Sequence, residues 1–169
     1  MDGIQIFSVL FAAILTLTAP LAAQRRPSAS PVEETVSTVI ALSIGGASYN
    51  FTGQAVCEHV PNGSIYDIVA ERWSVRQQDT GRSMSLNLWH PLSGAADMVT
   101  MSVSTAGKRH DVDTVKKPQN NQTTGSANVK FVPQGKGGTI TIDATAGSGA
   151  KISGTIKCDA FTAVTPVAG

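Results

Sequence analysis

Three histidines, His59, His90 and His110, have the widest chemical reach of any residues in this chain. A neutral imidazole can ligate a metal or move a proton near physiological pH. No two of them stand at i,i+2 or i,i+4, so neither a strand nor a helix places a local pair on one face. His110 is followed by Asp111 and Asp113, but strand alternation turns the imidazole away from both carboxylates. That stretch reads as solvated charge. His90, Met98 and Met101 have the donor types of a soft copper site, although Met101 lies in an alternating apolar run and reads better as core. A glycoside-cleaving carboxylate pair would have to come from Asp67, Glu71, Asp97, Asp111, Asp113 and Asp143, and no spacing singles out two. A nucleophilic hydrolase needs an activated serine, usually on a Gly-x-Ser-x-Gly elbow. Gly147-Ser148-Gly149 lacks that spacing and reads as a turn. Gly135-Lys136-Gly137-Gly138 lacks the phosphate-loop pattern and reads as a hairpin turn. Catalysis is therefore the minority reading, and any site must be assembled from distant segments. No motif calls for a cofactor.

The pair Trp89-His90 is the best contact candidate. If Met84, Leu86 and Leu88 face inward, Trp89 faces outward beside Ser85 and Asn87. An outward tryptophan among polar residues is a platform for sugar stacking or protein contact, unless a loop or second sheet covers it. Tyr66 and Arg76 are expected on an outward face one strand earlier, and Trp73 in the core. The partner implied is a protein or carbohydrate of unknown identity.

The two cysteines point the same way as their apolar neighbours. Cys57 shares strand parity with Tyr49 and Phe51, and Cys158 with Ile152 and Ile156. In an exported chain, two inward cysteines are expected to form one disulfide, Cys57–Cys158. The alternative is two buried free thiols. No Cys-x-x-Cys redox motif occurs.

The elements that must carry these residues are short alternating runs. They are 39–44, 47–57, 65–77, 82–90, 97–104, 108–115, 127–132, 139–145 and 151–158, separated by turn residues such as Gly45-Gly46, Pro61-Asn62-Gly63 and Asp79-Thr80-Gly81. A helix competes over Ile65–Gln77, where alternation is impure. The spacing predicts an all-β fold: an antiparallel β-sandwich or barrel of about eight to nine short strands, with one disulfide.

Ile4 to Leu17 is apolar and is followed by Ala19-Pro20-Leu21-Ala22-Ala23, which reads as a signal peptide over 1–23. Its n-region carries Asp2 and no basic residue. The run is short for a membrane span. A polar, proline-containing linker is expected over 24–37, a β domain over 38–162 and a flexible tail over 163–169. The formal charge of +1 provides no general attraction to nucleic acid or anionic lipid. After signal removal no stable membrane anchor is expected. Asn50, Asn62 and Asn121 each begin an N-glycosylation sequon, relevant only in a eukaryotic secretory pathway. These features predict a secreted or periplasmic, non-enzymatic binding or surface-interaction module. The alternative is a small secreted hydrolase or metal-binding protein whose site comes from distant strands.

Two segments, Ile44-Gly45-Gly46 through Gly53-Gln54-Ala55-Val56-Cys57 and Ile152-Ser153-Gly154-Thr155-Ile156-Lys157-Cys158, together with the export signal and the Ser/Thr/Pro linker, resemble the mycobacterial 19-kDa lipoprotein antigen family. The chain departs from that family where Gln24, not a lipid-bearing cysteine, follows Leu21-Ala22-Ala23. The resemblance therefore implies a small disulfide-linked β domain at the cell surface or in the periplasm, without lipid attachment.

Overall fold

The computed structural model describes residues 33–116, 118 and 121–165. The expected signal segment 1–23, most of the linker and residues 166–169 of the tail lie outside these. The described chain contains no helix, including over Ile65–Gln77. The strands are β1 (Val36–Ile44), β2 (Ala47–Ile65), β3 (Ile68–Asp79), β4 (Arg82–Pro91), β5 (Met98–Thr105), β6 (Lys108–Asp113), β7 (Ser126–Gln134), β8 (Gly137–Thr145), β9 (Lys151–Cys158) and the two-residue β10 (Thr162–Ala163).

Nine strands form one antiparallel sheet in the order β6-β5-β4-β3-β2-β1-β9-β8-β7, rolled into a nearly closed barrel, and β10 adds in parallel to β2. Nine is an odd number. Strict alternation around the sheet brings β6 and β7 to the seam with the same sense, so the antiparallel ladder cannot close through them. The seam is instead pinned at a corner. Asp113 and Thr124 exchange two backbone hydrogen bonds of 2.7 Å, and Gly147 N donates to the Asp111 carbonyl at 3.0 Å.

Alternation decides the interior, as the sequence predicts. Ile40, Leu42 and Ile44 of β1, Met84, Leu86 and Leu88 of β4, Val99, Met101 and Val103 of β5, and Ile140, Ile142, Ile152 and Ile156 of β8 and β9 are all buried in one core. Gly154 sits on the inner face of β9 with φ +142°, and a Cβ there would lie 2.0 Å from the Ala41 carbonyl oxygen. Only glycine lets β1 and β9 approach so closely.

Three local expectations change. β1 begins at Val36, two residues before the expected domain start. Pro61-Asn62-Gly63 is not a turn: β2 runs on to Ile65, with a bulge that sets Pro61 and Asn62 opposite Glu71 alone. The chain reverses at Tyr66 and Asp67, both with positive φ (46° and 65°), as a two-residue hairpin turn requires. The sequence lacks the usual Asn-Gly signal there, which hid the turn. Tyr66 consequently belongs to a turn and does not share a strand face with Arg76.

Cys57 and Cys158 are fully buried and form a disulfide, with Cα atoms 6.5 Å apart. It joins β2 to β9 beneath the start of β1, where Thr38 Oγ1 lies 3.5 Å from Cys57 Sγ. The other buried polar contact is at Tyr49, whose hydroxyl donates to Gln77 Oε1. Burial pushes the Tyr49 phenol above its ordinary pKa range, with Arg82 opposing and Asp79 reinforcing the shift.

Two outcomes follow from this core. Closing a loop of 101 residues is worth about 4–5 kcal/mol in the chain-entropy account. Denaturant unfolding with and without reductant should differ by that order. Both thiols should alkylate only after reduction, and alkylation in unfolded, unreduced protein contradicts the bridge. The raised Tyr49 pKa contributes stability that is complete below the unfolded value of about 10 and is lost as pH rises through the folded value. Tyr49→Phe should therefore flatten the alkaline limb of a melting-temperature profile. An unchanged limb would remove Tyr49 as its cause.

Candidate binding site at the barrel mouth

The register of three neighbouring strands places a polar group at one end of the barrel's inner face. His59 of β2 pairs with Trp73 of β3, and Trp73 pairs with Leu88 of β4. One step nearer the rim, Glu71 pairs with His90. All five have inner-face parity, continuing the core rows of Cys57, Val75 and Leu86. The Pro61-Asn62 bulge lies opposite Glu71 and leaves it without a single direct partner on β2. Its carboxylate reaches diagonally to His59, with Oε1 2.6 Å from Nε2. Bulges commonly re-aim side chains in this way beside functional sites. The His90 Nδ1 meets Asp97 Oδ1 at 2.7 Å. Asp97 comes from the connection between β4 and β5. Two histidine–carboxylate pairs thus stand side by side along one lip.

Rings form the inner wall. His59 stacks on Trp73 with the planes 7° apart and centroids at 5.2 Å. Phe131 of β7 lies 4.7 Å from Trp73, and Phe161 meets Phe131 edge-on at 5.6 Å. Two glycines make room for the far wall. A Cβ on Gly138 would be 2.3 Å from the Phe131 ring, and one on Gly137 would be 2.1 Å from the Cys158 carbonyl oxygen. The segment after Cys158 then crosses to the β7–β8 turn, where Phe161 N donates to the Lys136 carbonyl at 2.8 Å. Between the two walls is an open cavity of about 630 Å³, with Leu88 and Val129 among its lining.

The expected site residues divide. His90 lines this cavity, but Trp89 points to the outer face, as alternation requires. Trp89 is half-buried rather than an open platform: the Arg72 guanidinium lies over its ring at 5.3 Å. Trp73 is a half-buried wall of the cavity rather than core. The His90, Met98 and Met101 set does not assemble. Met98 pairs with Trp89 on the outer face and Met101 is buried in the core. His110 stands apart at the seam, with Nδ1 3.3 Å from Ser148 Oγ. Asp111 beside it is partly desolvated, yet hydrogen bonds from Arg109 and Ser102 hold its pKa below the usual carboxylate range. Among the described residues, no three His, Cys, Asp or Glu side chains group to hold a metal ion. Sequence reasoning missed His59 and Glu71 as partners. The only signal was their shared inward parity on the two strands of one hairpin, and the misplaced turn concealed it.

The geometry fixes the tautomer of each neutral histidine, because a carboxylate can only accept. His59 should carry its proton on Nε2 and His90 on Nδ1. Nitrogen NMR of the imidazoles at neutral pH should show opposite tautomers for the two. Identical tautomers would break one of the pairs.

Compared with protein-family models, curated proteins and solved structures, the chain matches none of them, and the chemistry of the mouth follows from its own residues alone.

Proposed function

We propose that this protein is a non-enzymatic binding protein of the secreted or periplasmic space that takes a small amphipathic ligand into the mouth of its barrel. The cavity of about 630 Å³ carries this reading. Its volume is that of small-molecule sites, and barrel mouths are a usual place for them. Its make-up has the same logic: aromatic and aliphatic side chains together with a limited set of polar groups, the histidine–carboxylate pairs at one lip among them, that can fix orientation. A saccharide ring or an aromatic body would find hydrogen-bonding groups on one side and rings on the other. No Ser, Thr or Cys lines the cavity among the described residues, so no hydroxyl or thiol nucleophile faces a bound molecule. An oxidising compartment suits the buried disulfide, and the apolar run Ile4–Leu17 suits export.

One observation favours the hydrolytic alternative. A histidine held by a carboxylate, as His59 is by Glu71, can act as a general base on water. Turnover of a bound molecule would select that reading.

The test is titration of the oxidised full chain with N-phenyl-1-naphthylamine, a neutral fluorescent amphiphile. We expect saturable one-site binding with a Kd on the order of 10 μM. Val129→Phe, which fills the floor, should weaken it at least about tenfold, and Phe161→Ala, which removes a wall, should weaken it independently. Circular dichroism checks that each variant is folded. Absence of saturable binding, or binding indifferent to both variants, refutes the mouth as a ligand site.

A further inference from the structure

We infer that the mouth selects organic cations: a protonated amine or quaternary ammonium on an apolar body. This rests on the reading of the mouth as a ligand site and adds the class of ligand. The cavity sets two carboxylates against a set of aromatic rings. Glu71 of β3 and Asp97 of the β4–β5 connection stand on one lip, and Trp73, Phe131 and Phe161 form the wall. With neutral histidines, each carboxylate is satisfied on one oxygen by an imidazole N–H and keeps its negative charge. Glu71 is about one-quarter exposed (27%) and Asp97 about one-third (35%), so both are partly shielded from water and still open to the cavity. An ammonium group gains from both sides of such a pocket. It meets the carboxylates electrostatically and the aromatic wall through cation–π contact with ring faces, while its apolar body packs on the rings.

The other charges at the mouth do not cancel this preference. Lys130 and Lys136 both border the cavity, but Lys130 is exposed and alternates with Val129 and Phe131, so its side chain leaves β7 on the outer face. Lys136 is exposed in the β7–β8 turn, and its main-chain carbonyl is what engages the wall.

The experiment compares three probes of similar size on the oxidised full chain: benzyltrimethylammonium, its neutral carbon isostere neopentylbenzene, and benzenesulfonate. Competition against N-phenyl-1-naphthylamine reports each affinity. We expect the cation to bind at least about tenfold more tightly than the neutral isostere, and the anion to bind most weakly. Glu71→Gln and Asp97→Asn should each reduce the ratio of cation to neutral affinity. If the neutral isostere displaces the dye as well as the cation does, the cation assignment fails while the ligand site stands. If the anion binds best, Lys136 governs the mouth and the assignment also fails. If the dye itself does not bind, both readings fail together.

Discussion

The Cys57–Cys158 bridge is the constraint on which both the core and the mouth depend. It ties β2 to β9 on either side of β1, inside the barrel and close to one end. Each cysteine is followed almost at once by a residue of the cavity: His59 two positions after Cys57, and Phe161 three positions after Cys158. The bridge therefore fixes two opposing parts of the mouth relative to each other. Gly137 and Gly138 complete the arrangement by letting the strand after the β7–β8 turn press against the Cys158 carbonyl and the Phe131 ring. The strand-borne part of such a site is held by covalent and packing restraints, which suits selective binding without large rearrangement.

The polar lip illustrates how a rim differs from a core. Among the buried groups, Tyr49 pairs with Gln77, whose Nε2 has no hydrogen-bond partner among the described residues. Burying an unsatisfied amide donor costs on the order of 1–3 kcal/mol. At the mouth, polar groups stand in pairs and keep contact with water. The histidine–carboxylate pairs of the mouth thus stand where desolvation is incomplete, whereas most of the interior is filled with Ile, Leu, Val and Met.

The fold was legible because strand alternation is strict in most of this chain. Met84, Leu86 and Leu88, or Ile140 and Ile142, declare their face without help from any neighbour. The facing of the cysteines followed from the same parity. The site was much less legible. His59 and Glu71 lie 12 residues apart, and their meeting depends on where the β2–β3 hairpin turns. Pro61-Asn62-Gly63 carries every compositional mark of a turn, whereas the actual turn uses Tyr66 and Asp67, whose positive φ is unusual for a tyrosine. An error of a few residues in a hairpin changes every cross-strand partner beyond it. Trp89 shows a second limit. Its outward direction was readable, but not the guanidinium that lies over it, because Arg72 arrives from the next strand.

The order of strands also bears on how the chain assembles. Seven of the eight antiparallel ladders join strands that are consecutive in sequence, and only the β1–β9 ladder is long-range. β1 to β6 and β7 to β9 are therefore two meanders that can form from local hairpins, each with one open edge waiting for the other. Joining them pays the large loop-closure entropy in a single step. Until that step occurs, β1 and β9 expose unpaired backbone and their apolar faces, and Cys57 has no partner within reach. Docking of the two meanders thus completes the sheet, the mouth and the covalent link together, and it is the stage at which the growing chain is most open to pairing with the wrong strand or the wrong thiol.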